Sequence, residues 1–263
     1  MCFVFVLKPE LFGITDASFP ARLSFLLVGI WWIGFAQIPF NRLPKGTPAL
    51  RKPSSSVIKS GYQELGKVWT QLKEYNVLHR FLYAFFFYSV GVQTIMLVAT
   101  AFGAKVLKME TSELIATILI IQLVAIAGAN LMSLMASKIG NIRVLMLVVS
   151  IWIGVCIVAY FIQTKYQFFA LAGLVGLIMG GIQSLSRSTY SKLLPVNTHD
   201  TASFFSFYDV TEKIAIVIGL ATFAFIEENS NIRNSALSLT VFFIAGLIML
   251  FVVLRTRPAK QGK

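Results

Sequence analysis

Acidic residues are scarce in this chain: 11 Asp and Glu stand against 23 Lys and Arg in 263 residues, and both signs together make up 13%. Soluble domains carry roughly 25% charged and 45–50% apolar residues. A composition that is 57% hydrophobic, with mean hydropathy +0.77, excludes that class. Cysteine and histidine are also few. Cys2 and Cys156 lie in apolar stretches, which argues against a disulfide or a metal site, and His79 and His199 have no acidic or cysteine partners nearby. No HExxH or Walker A sequence is present, and no cofactor is expected. Met1–Leu7 lacks the basic region and the cleavage site of a signal peptide and reads as the stump of another span. No fixed-period repeat or low-complexity tract occurs.

What remains is a series of apolar runs near 20 residues, the length a helix rising 1.5 Å per residue needs to cross roughly 30 Å of hydrocarbon. The expected fold is all-α and membrane-integral, with seven transmembrane helices at 21–40, 81–103, 114–136, 144–163, 166–186, 201–226 and 234–254. Pro39 marks the exit of the first, and the sixth carries three charges.

The net charge of +12 would suggest nucleic acid in a soluble protein, but here the basic residues fall between spans, so no nucleic-acid partner is expected. Placing the 41–80 loop in the cytoplasm puts sixteen Lys and Arg there, against six on the other side partly offset by Glu110, Glu113, Glu227 and Glu228. The positive-inside rule then sets the N-terminus outside and the C-terminus inside. Within the long loop, the Pro/Ser-rich stretch Pro44–Ser56 precedes Ile58, Tyr62, Leu65, Trp69 and Leu72, one face of a helix. Such a helix lies along the membrane interface or packs under the bundle; a soluble helix with a modest apolar face is the alternative.

Chemistry concentrates in the sixth span. If that helix enters near Thr201, Asp209 lies about 12 Å and Lys213 about 18 Å deep. Spacings of three and four residues put Asp209, Glu212 and Lys213 on one face, where each unpaired charge costs roughly 2.5–3.5 kcal/mol. They form either part of a solute or proton pathway or a self-neutralising Asp209–Lys213 pair beside a protonated Glu212. The preceding span supplies Gly176 and Gly180, a spacing that lets another helix approach, then Gln183, Ser184 and Arg187. Arg187 is a candidate cytoplasmic gate contact or a snorkelling cation. Tyr88, Gln93, Thr94, Gln122 and Asn130 are polar groups in apolar runs, the type that more often joins helices than binds ligands; Tyr88, Gln93 and Gln122 are the pathway candidates.

Three other classes have weak anchors. Tyr208-Asp209 is half of an intramembrane aspartyl protease signature, but the second aspartate in its Gly-x-Gly-Asp setting is missing. Lys213 as a Schiff base would suit a seven-helix receptor or retinal protein, yet it falls in the sixth span rather than the last. A channel or scaffold stays open, because no residue here reports coupling to an energy source.

Gly180-Gly-Ile-Gln-Ser-Leu-Ser-Arg-Ser188, Leu194-Pro195, Phe204-Phe-Ser-Phe-Tyr208 with Lys213 and Gly219, and Gly29-Ile-Trp-Trp-Ile-Gly-Phe-Ala-Gln-Ile-Pro-Phe40 resemble the major facilitator superfamily, specifically the bacterial group related to fungal vacuolar amino-acid effluxers. The resemblance covers nearly the whole chain and implies helices six to twelve of a twelve-helix transporter. On that register 1–40 ends the N-terminal half, 41–80 is the central cytoplasmic linker, 81–254 is the six-helix C-terminal half and 255–263 is a basic cytoplasmic tail. It implies alternating-access efflux of a small solute, with amino acids as candidates and protons as a candidate coupling ion. Membrane lipids and a missing N-terminal half become the expected partners, and a bacterial inner membrane the expected location. The superfamily's charged loop motif would fall on Ser133 to Ile142; Ser133 and Ser137 replace its first Gly and its Asp, while Lys138, the second gate candidate, and Gly140 remain.

Overall fold

The computed structural model describes residues 19–43, 57–195 and 201–256. The Met1–Leu7 stump, Cys2, the Pro44–Ser56 linker, His199 and the tail beyond Thr256 lie outside them, as do the side chains of Ile58 and Lys59. Among the described residues all regular structure is helical: α1 (Phe19–Arg42), α2 (Val57–Glu74), α3 (Asn76–Leu107), α4 (Thr111–Ile139), α5 (Asn141–Phe161), α6 (Lys165–Leu193), α7 (Thr201–Asn229) and α8 (Ile232–Arg255). Two compact units result, Met1–Ser54 and Ser55–Lys263.

In the first unit α1 is apolar all round, as a lipid-facing helix is. Pro39 does not end it. The helix continues to Arg42, with the Leu43 N–H donating to the Pro39 carbonyl at 2.8 Å, because a proline one turn from the terminus removes only one bond of the ladder.

In the second unit the helices outrun the apolar runs, because capping carries them into polar sequence. Glu110 with Glu113, and Thr164 with Gln167, form reciprocal capping boxes at α4 and α6, and Asn231 caps α8. Among the described residues six helices are long and apolar enough to cross a membrane: α1, α3, α4, α5, α6 and α8. The seventh expected span, α7, is 29 residues long and differs from these in charge: Asp209, Glu212, Lys213, Glu227 and Glu228 leave no stretch of span length with fewer than three charged residues.

Packing is interleaved rather than sequential: α4 lies along α6, and α8 lies against both α3 and α5, while α7 packs on α3 and α8. Glycines make the first of these contacts possible. A Cβ on Gly180 would strike the Ala125 carbonyl, one on Gly128 would strike the Leu177 carbonyl, and one on Gly176 would stand 2.7 Å from the Ile121 oxygen. Trp152 of α5 stacks on Phe243 of α8 at 5.6 Å in the centre of the core. The amphipathic α2 packs under this bundle through Val68 and Leu72, both buried, and Ser203 of α7 donates to Glu64 at 3.2 Å.

The two ends of the bundle differ in charge pairing. At one end Lys105 meets Glu227 and Lys165 meets Glu113, each at 2.7 Å. At the other, Arg80 donates to Thr256, and Asn141 joins Ser188, Thr189 and Lys192. Among the described residues Lys138, Arg143, Lys192 and Arg255 make no ion pair at this second end.

Candidate functional site

Three helices turn a polar stripe toward a common cleft of about 770 Å³. From α3 come Phe85, Tyr88, Ser89, Val92 and Gln93; from α7 come Phe205, Tyr208, Asp209 and Glu212; α6 adds Ile182, Gln183, Ser184, Ser186, Arg187, Ser188 and Ser191. Steps of three and four residues keep each set on one helix face. Gly219 brings α7 close: a Cβ there would collide with the Thr94 hydroxyl and approach the Val90 carbonyl of α3. That crossing lets Gln93 Nε2 donate to the Glu212 carboxylate at the deep end of the cleft.

Nearer the mouth, Arg187 donates to Asp209 at 2.8 Å, with both side chains more than half exposed. The guanidinium also lies 5.7 Å from the Tyr208 ring centre. Between the two polar layers is an aromatic wall. Phe85 stacks on Tyr208 at 4.0 Å, and Tyr208 tilts against Tyr190, whose hydroxyl donates to the Phe204 carbonyl at 2.8 Å. Ser186 donates to the Ile182 carbonyl within its own helix, so at 2.7 Å it accepts from the Tyr88 hydroxyl. Tyr88 is therefore committed to holding α3 against α6. Among the described residues, the Tyr208, Ser89 and Gln183 side chains that line the cleft have no hydrogen-bond partner.

Of the residues singled out from sequence, Tyr88, Gln93, Gln183, Ser184, Arg187, Asp209 and Glu212 converge here. Lys213, Gln122 and Lys138 do not. Lys213 sits at the edge of the α7 stripe, exposed, and Asp209 pairs with Arg187 of the neighbouring helix rather than with it. Gln122 lines a separate pocket between α3 and α4 with Met96, Thr100 and Thr117. Lys138 is exposed near the end of α4, where Asn141, two residues past Ile139, makes the polar contacts to α6. The sequence assigned no place in the solute path to Phe85, Ser89, Phe205, Tyr208, Ser186, Ser188 or Ser191. Their spacing from Tyr88, Gln93 and Asp209 was the available signal. As a chemical device the cleft offers one ion pair, one carboxylate held by a neutral amide, and free neutral donors on an aromatic wall. Among the described residues no cluster of His, Cys, Asp and Glu could hold a metal.

A family described as vacuole effluxer Atg22 like matches residues 1–263. The uncharacterized MFS-type transporter YxiO of Bacillus subtilis is 32% identical over 239 residues, covering 90% of this chain and 55% of that protein. Autophagy-related protein 22 of Cryptococcus neoformans is 29% identical over 266 residues, 94% of this chain and 46% of its own length. The Yarrowia lipolytica protein of the same description is 25% identical, with 94% and 47% covered. The chain spans about half the length of the curated relatives it matches.

Proposed function

Because this chain belongs to the vacuole effluxer Atg22-like family, an integral-membrane transporter family rather than an enzyme family, we propose that it forms one wall of the solute path in an effluxer of amino acids that works by alternating access. The observation that carries this reading is the cleft itself: a polar cavity of about 770 Å³ cut into an otherwise apolar helix bundle, with Glu212 at its deep end. Polar and charged groups are expensive in hydrocarbon. The cleft is lined from α3, α6 and α7 on one side, so a second set of helices has to shield it. The N-terminal half that the relatives' length allows for is the natural complement.

The end that carries Arg80, Lys138, Arg143, Lys192 and Arg255 is cytoplasmic in this reading. Support comes from the charge balance: at the opposite end Lys105 and Lys165 pair with Glu227 and Glu113, and Glu110 and Glu228 offset Lys108 and Arg233, so the excess positive charge is confined to one face. The cleft then opens toward the cytoplasm, as an effluxer's loading site would, in a bacterial inner membrane. Glu212, whose one hydrogen-bond partner among the described residues is the neutral Gln93, is the candidate proton carrier.

The test is efflux of preloaded radiolabelled amino acids from cells that make the protein from its own locus. Glu212→Gln retains an acceptor for Gln93 and removes only the charge; efflux is expected to fall roughly tenfold or more at unchanged membrane abundance. Efflux indifferent to this change, or equal with and without the gene, overturns the proposal.

A further inference from the structure

A second pocket, of about 290 Å³, opens where α2 meets the flanks of α3 and α7. It is separate from the cleft, shares no residue with it, and is almost wholly apolar. Its chemistry changes along its length. At one end are Trp69 and His79; deeper come Leu82, Tyr83 and Phe207; deepest are Phe86, Phe87 and Ile214. From His79 to Phe87 the helix rises about 12 Å, a fair part of one leaflet.

The shallow end also carries a cation. Lys73 Nζ lies 5.8 Å from the Trp69 ring centre and is within electrostatic reach of His79. Lys67 of the same helix is held by Glu64, but Lys73 makes no ion pair among the described residues. Trp69 stacks on Phe207 at 5.9 Å and meets His79 edge-on at 5.5 Å, so the rim is built by contacts between α2, α3 and α7. An indole that is 36% exposed and a free ammonium, set above hydrocarbon-lined depth, are arranged as a phospholipid is: charge at the interface, apolar length below.

We propose that this groove is a specific site for one anionic phospholipid, with its phosphate at Lys73 and Trp69 and an acyl chain along Phe86, Phe87 and Ile214. The occupant follows from charge complementarity. A neutral or zwitterionic lipid would leave Lys73 without a net counter-charge, whereas an anionic headgroup supplies it where basic residues are known to attract such lipids. The bound lipid adds to the contact between α2 and the bundle, which otherwise rests on Val68, Leu72, the Trp69 ring contacts and the Ser203–Glu64 hydrogen bond. The site does not depend on the transport reading, only on the helices lying in a bilayer.

The full chain, reconstituted in nanodiscs, can be photolabelled with phosphatidylglycerol or phosphatidylcholine carrying a diazirine in the acyl chain. The phosphatidylglycerol probe is expected to mark peptides containing residues 82–87 and 207–214. Unlabelled phosphatidylglycerol, but not phosphatidylcholine, should compete. Lys73→Glu, an exposed change that leaves the fold intact, should cut that labelling by about fivefold or more and leave phosphatidylcholine labelling unchanged. Ile214→Trp should block the acyl end while Lys73 remains. Equal labelling by both lipids, indifference to Lys73→Glu, or no labelling of these peptides because another protein segment covers them would each overturn the site.

Discussion

Arg187 and Asp209 form an exposed ion pair, a kind that contributes about 0–1 kcal/mol to stability, so neither is held in the cleft for the sake of the fold. Arg187→Gln or Asp209→Asn is therefore expected to leave detergent stability nearly unchanged and to lower solute flux in the assembled transporter. The double variant distinguishes two roles. If the pair only neutralises itself, removing both charges restores flux; if solute replaces one partner during binding, the double variant stays as poor as the single ones. Lys213 is a contrasting residue. It is exposed at the edge of the stripe, so Lys213→Gln should keep most of the flux that Glu212→Gln loses. A loss equal to that of Glu212→Gln would return Lys213 to the solute path. The sequence suggested one face for 209, 212 and 213 because i, i+3 and i+4 are neighbours. The cleft centres instead on 205, 208, 209 and 212, and one further residue turns a side chain about 100° away.

Among elements, the α4–α6 contact is the most sensitive to side-chain size. Gly180→Leu would push its side chain into the Ala125 backbone, which has no rotamer to yield, and is expected to cost roughly 1–3 kcal/mol and lower the melting temperature in detergent. Gly173→Ala in the same helix meets nothing within 4 Å and should be neutral or slightly stabilising. Equal melting temperatures for the two variants would show that the close approach is not required. The Gly176–Gly180 spacing was legible as a helix-contact signal, but its partner was not. That α4 supplies the partner, with Gly128 reciprocating, depends on the interleaved order of the helices, which no local pattern encodes. The same holds for Gly219, whose role is to bring Glu212 to Gln93.

At the scale of the whole molecule, hydrogen bonds within the bundle group the helix ends into two sets, and the proposed sidedness rests on their difference in charge. In a background with Cys2 and Cys156 replaced by alanine, single cysteines at Lys108 and Glu228 are expected to react with an impermeant maleimide from outside intact cells. A cysteine at Lys59 should react only after the membrane is opened. External labelling at position 59 would invert the topology and turn the cleft toward the outside.

Composition and run length by themselves determined that this chain is a helical membrane protein, because backbone unpaired in lipid is so costly that only helices and closed barrels span it, and apolar runs near 20 residues fit helices rather than strands. They also determined which polar residues needed an explanation, since a charge inside a span is conspicuous. Only the tertiary structure decided which of those residues meet. It gave Asp209 to Arg187 and Glu212 to Gln93, and it set Tyr88 on Ser186 as a strut. It left Lys213, Gln122 and Lys138 outside the cleft. The physical reason is that periodicity fixes which residues share a face of one helix, whereas partner choice depends on how neighbouring helices are rotated and how closely their glycines let them approach.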